Sequence, residues 1–122
     1  MERIFFALGA ASAFIAVGAG AFGAHGLEGR IPTERLTTFE IAARYQMYHA
    51  LGLVAVAWAA TRWPGSLTTS AGWLFVVGTL LFSGSLYVLS LSGIRWLGAI
   101  TPLGGVAFLA GWACLAWAAL QR

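Results

Sequence analysis

Four long stretches without a charged residue constrain this chain more than anything else in it. Residues 4–23, 45–61, 63–94 and 96–121 contain no Asp, Glu, Lys or Arg, and hold 20, 17, 32 and 26 residues respectively. A helix needs ~20 apolar residues to cross a ~30 Å hydrocarbon core. The third stretch is broken near its start by Pro64-Gly65-Ser66, which leaves one span's length after the break. Backbone N–H and C=O groups must be paired inside lipid, so each stretch reads as a helix.

The expected fold is all-α: a four-span transmembrane helix bundle of up-down topology, one domain over 1–122. Its spans are expected at about 4–24, 38–61, 70–92 and 98–121. The first is read as a retained span, because it is longer than the apolar core of a leader. Helix two starts with an interfacial extension. Thr37-Thr38-Phe39-Glu40 fits a capping box with Thr37 as N-cap. Glu40 and Arg44 stand four apart, in the favourable order for a helical pair. Thr101 and Pro102 fit the N-cap and first position of helix four. Gly26, Gly29 and Pro32 break the chain between the first two spans, giving a connection over 25–37.

Composition closes off the other classes. Only 9% of residues are charged, against about a quarter in a soluble domain. That is too few to coat a soluble globule, which excludes a cytosolic enzyme. Cys114 is alone, so no intrachain disulfide forms. The seven arginines are scattered singly and form no phosphate-tracking stripe, so nucleic acid is not an expected partner. The chain has no Asp, hence no Ser/His/Asp set, and no catalytic residue is assigned. Gly18-Ala-Gly20-Ala-Phe-Gly23 matches G-x-G-x-x-G, but the breakers at Gly26, Gly29 and Pro32 deny it the helix a dinucleotide site requires. Three arginines on the side of the termini against four on the other give no orientation.

Helices in lipid associate through small residues. Ser12, Ala16, Gly20 and Ala24 form one such column, and Gly104, Ala107 and Gly111 another. Trp58, Trp63, Trp73, Trp112 and Trp117 read as an interfacial belt near the termini.

Folding the spans up and down gathers the unusual polar residues at the opposite end. The candidate polar site is His25, Glu40, Arg44, Tyr45, Tyr48, His49, Ser83, Tyr87 and Thr101. His49 is the sharpest member, since ionisable groups within a span usually have a partner or a task. His25 falls at the same expected level, so the two histidines could approach. Two ligands without Cys or Asp support are too few to assign a metal, and no cofactor is expected.

GAFGAHGL at 20–27, RYQMYHAL at 44–51, FSGSLY at 82–87 and TPLGG at 101–105 together carry a resemblance. The chain resembles the YgdD-like and transmembrane protein 256-like small membrane proteins (domain of unknown function 423) nearly end to end. The resemblance implies a multi-pass protein of the bacterial inner membrane. It implies no established activity, so no functional residue transfers. The expected function is a non-enzymatic interaction, accessory or assembly protein of a membrane complex. Its partners are the lipid bilayer and another membrane protein, or further copies of the chain. The alternatives are a proton or small-solute transporter working as an oligomer, and a cofactor-, quinone- or lipid-handling protein using the His25/His49 end.

Overall fold

The computed structural model describes residues 1–121 and is all-helical over them. Helix α1 spans Glu2–Phe22 and runs into a π-helical turn, Gly23–Leu27. Helix α2 spans Thr33–Arg62 and α3 spans Ser66–Ser92. A 3-10 turn, Arg95–Ala99, leads into α4, Thr101–Leu120. Three helical stretches are long and apolar enough to cross a membrane: Glu2–Leu27, Ser66–Ser92 and Arg95–Leu120. Helix α2 does not meet that composition: charges crowd its first half, and Gln46, His49 and Arg62 lower the hydropathy of its second.

Several boundaries differ from expectation, each for a local reason. Helix α2 begins at Thr33, not 38, with Pro32 in the N-cap position. Proline's fixed φ suits the start of a helix, and Glu34 in the first turn complements the helix dipole. The Thr37 capping box therefore does not form. Thr37 and Thr38 are inside the helix, where their hydroxyls donate to the carbonyls of Thr33 and Glu34, each at 3.1 Å. The connection between α1 and α2 shrinks to 28–32, because the π-helical turn prolongs α1 from the other side. Helix α3 starts at Ser66, directly after Pro64-Gly65. It ends at Gly93, whose φ of +75° is the left-handed C-cap that glycine adopts without strain. Thr101 is the first residue of α4, with Ile100 as N-cap, and Pro102 lies in its first turn. Gln121 is beyond the helix, and Arg122 lies outside the described residues.

The substantial interfaces are α1–α2, α2–α3 and α3–α4. Among the described residues α1 and α4 share no such interface, while Phe5 of α1 also reaches α3 and α4 also meets α2. The core is Phe5, Leu53, Val56, Ala57, Ala71, Phe75 and Phe108. Its phenylalanines lie on glycines of neighbouring helices. Phe5 covers Gly72, Phe108 covers Gly78, and Phe75 reaches both Gly52 and Gly111. At Gly104 the α3 backbone itself, at Phe82, fills the space a Cβ would need. Gly104 and Gly111 are thus packed positions, with Ala107 half-buried between them.

On α1 the packed face is shifted from the expected column. Phe5, Gly9 and Ala16 are buried. A Cβ on Gly9 would stand 2.7 Å from the Ala50 carbonyl oxygen. Ser12 is half-buried, Gly20 has open space beside it, and Ala24 is exposed. The reason is that a column of every fourth residue drifts about 40° per step around a helix of ~3.6 residues per turn. Gly20 and Ala24 therefore leave the face set by Phe5, Gly9 and Ala16, which Gly23 continues against Phe39.

Gly104→Ala is expected to destabilise the bundle by about 1–3 kcal/mol, because the obstructing atoms are backbone. Gly84→Ala, with open space at the same kind of helical position, should be neutral or stabilising. Unfolding of the two variants in mixed micelles measures the difference.

Candidate functional site

Several polar residues of the bundle sit where neighbouring helices meet, and a set of their hydrogen bonds crosses between helices. Gln46, only 5% exposed, is the hub. Its amide nitrogen donates to the Ser12 carbonyl and to Ser12 Oγ, both at 3.2 Å. Its Oε1 accepts from the Tyr87 hydroxyl at 2.6 Å. One side chain of α2 thereby ties α1 to α3. Ser83 Oγ donates to the Ala42 carbonyl at 2.8 Å, joining α3 to α2 inside the core. Ser85 and Thr101 pair through their hydroxyls at 2.7 Å, joining α3 to α4.

His49 joins α2 to α4. Its ring stacks on Phe108 with centroids 3.5 Å apart and planes 4° from parallel. Its Nδ1 is 2.9 Å from the Tyr45 carbonyl, and its Nε2 is 3.0 Å from Trp112 Nε1. The two partners assign the tautomer. A carbonyl only accepts and an indole N–H only donates, so Nδ1 carries the proton and Nε2 accepts. Neither nitrogen has a lone pair free for a metal while Trp112 stays in place.

The other expected members are placed differently. Tyr45 packs edge-on to Tyr48 at 5.4 Å and against Phe82 at 4.9 Å. Both tyrosines are exposed, as are Glu40 and Arg44. His25 is exposed on the π-helical turn. It does not share a level with His49. Gly23 lies against Phe39, and His49 is ten residues further along α2, which is roughly 15 Å of helix. His49 also faces α4, from which α1 is separated.

Two participants escaped the sequence reading. Gln46 falls on the buried face that runs through Ala42, His49, Ala50 and Leu53. An amide on an otherwise apolar helical face, inside an uncharged stretch, was the available signal, since a buried amide needs partners. Trp112 read as a belt residue. It stands halfway along α4, roughly 16 Å from the helix start, and its N–H is used on His49.

Beside these ties α2 and α4 leave an open groove of about 670 Å³. Its walls include Tyr45, Tyr48, Phe82, Val106, Leu109 and Trp112. It is almost wholly apolar, and His49 is among its lining residues.

Tyr87→Phe and Gln46→Leu test the central tie. Each single change should destabilise the protein by about 1 kcal/mol. Their coupling energy in a double-mutant cycle should be about 0.6–1.7 kcal/mol, the range for hydrogen bonds between membrane helices. Strictly additive effects would mean that the Tyr87–Gln46 bond contributes nothing.

Comparison with known proteins adds the family. A model described as "Protein of unknown function (DUF423)" matches residues 19–105. The chain is 53% identical over 120 residues to the "UPF0382 membrane protein YwdK" of Bacillus subtilis, covering 98% of each. It is 49% identical over 124 residues to the "UPF0382 membrane protein SERP0230" of Staphylococcus epidermidis, covering 98% of this chain and 97% of that one. No solved structure matches. The matched segment takes in all four motifs that carry the resemblance, and the chain belongs to the DUF423 family of small membrane proteins.

Proposed function

We propose that this protein is a non-enzymatic interaction or assembly protein of the bacterial inner membrane, crossing it four times and docking on a larger membrane complex. The observation that carries the reading is the outward face of α1. That helix packs mainly on α2, with Phe5 reaching α3, and turns Phe14, Val17, Gly18 and Ala21 outward. Phe14 is 83% exposed, and Gly18 offers a close approach with nothing beside it. Gln46, Ser83 and His49 serve as ties between helices, which supports a packed bundle over a transport path.

Helix α2 supplies the fourth span in this reading. It lies between α1 and α3, and its uncharged part, 45–61, is roughly 26 Å long. Its charged first turns then stand in the headgroup region. A second reading, handling of a quinone or lipid, draws on the aromatic groove between α2 and α4.

Two experiments test the proposal. In a Cys114→Ser background, Glu28→Cys and Ser66→Cys should react with a membrane-impermeant thiol reagent from opposite sides. Labelling from one side would place α2 on the surface and remove the fourth span. Native mass spectrometry of protein extracted gently from its own host should show a defined heteromeric mass. A photocrosslinker at Phe14 should capture the same partner, while one at buried Phe75 should not. A monomer or homo-oligomer with only self-crosslinks would overturn the assembly role, and a retained small-molecule mass would then favour the groove.

A further inference from the structure

We propose that the cavity between the start of α2 and the end of α3 binds a phosphate group, and that this phosphate belongs to an anionic phospholipid of the surrounding leaflet. The cavity holds about 410 Å³ and is lined by Arg35, Arg95, Glu34, Thr38 and Gly93 among others.

Arg35 carries the first observation. Its Nε is buried and has no hydrogen-bond partner among the described residues. Arg35 itself is half-buried, but a guanidinium keeps its charge and has only donors, so its buried Nε–H calls for an acceptor. The fold also makes room for this group. A Cβ on Gly93 would come within 2.6 Å of one terminal nitrogen of Arg35, so the glycine that ends α3 also admits the guanidinium.

Arg95 provides the second observation, since it lines the same cavity from the 3-10 turn. Two arginines face one acid, Glu34, which leaves the lining net positive. The start of α2 adds to it. No side chain caps that helix, so the amides of its first residues lack intrahelical partners, and Pro32 and Glu34 from its start line the cavity. Phosphate oxygens match the planar donor fork of arginine.

Position argues for a lipid source. Trp96, directly after Arg95, is 66% exposed, and α3 has just ended at Ser92. An exposed Trp beside an Arg at a helix end marks headgroup level. Leu89 gives the cavity an apolar wall on the membrane side.

The test uses the full chain in detergent, titrated with phosphatidylglycerol or phosphatidylcholine of identical acyl chains and read by native mass spectrometry. The first phosphatidylglycerol should bind at least about tenfold more tightly than phosphatidylcholine. Arg35→Gln and Arg95→Gln should bring the two lipids close to parity. Arg30→Gln, an exposed change of equal charge in the same connection, should keep the preference. Arg95 is exposed, so its variant carries the test even where Arg35→Gln fails to fold. Equal binding of both lipids by the unaltered protein would overturn the proposal, and so would an equal loss in Arg30→Gln. Thermal stabilisation by inorganic phosphate without any preference for phosphatidylglycerol would overturn the lipid assignment.

Discussion

Phenylalanine against glycine is the contact on which this structure rests. Lipid tails are as apolar as the side chains facing them, so burying apolar surface gives the helices no drive to associate. What remains is dense packing, which requires one helix to leave room for the other. Phe75 supplies the central example, lying between Gly52 of α2 and Gly111 of α4. Phe5 on Gly72 and Phe108 on Gly78 extend the pattern along α3, and the α3 backbone at Phe82 meets Gly104 directly. Each pair replaces a loose helix–helix contact with many dispersion contacts at close range.

The hydrogen bonds follow from that approach. Ser83 reaches the Ala42 carbonyl, and Ser85 reaches Thr101, because the backbones are already close. Short hydroxyls could not bridge helices at ordinary spacing. Gln46 is long enough to serve two neighbours at once, and Tyr87 closes on it from α3. The polar groups between helices are thus largely tied to one another, from Ser85–Thr101 at the start of α4 to Gln46 and His49 near the middle of α2, while Thr79 Oγ1 is buried without a partner among the described residues. Hydrogen-bonded networks of this kind hold neighbouring helices in one arrangement.

Much of the fold was legible because the bilayer imposes it. Uncharged length and breaker residues located the helices, and the stripe of Ser83, Tyr87 and their neighbours located the polar half. The start of α2 was misread because Thr37-Thr38-Phe39-Glu40 is locally a good cap, yet Pro32 and Glu34 begin the helix a turn earlier. The packed face of α1 was misread because a column of every fourth residue drifts off a helical face, whereas the buried Gly9, Ala16 and Gly23 follow a seven-residue spacing.

The sequence by itself determined the helices, their number and the end at which polar groups collect, since these follow from short-range chemistry and the thickness of a membrane. Only the tertiary structure decided which polar groups meet. His49 faces Trp112 and Phe108, not His25, and Gln46 joins Ser12 to Tyr87. Those choices depend on the rotation and axial offset of each helix against its neighbours. Rotation and offset are set by which phenylalanine fits over which glycine, a matter of shape between residues distant in the chain.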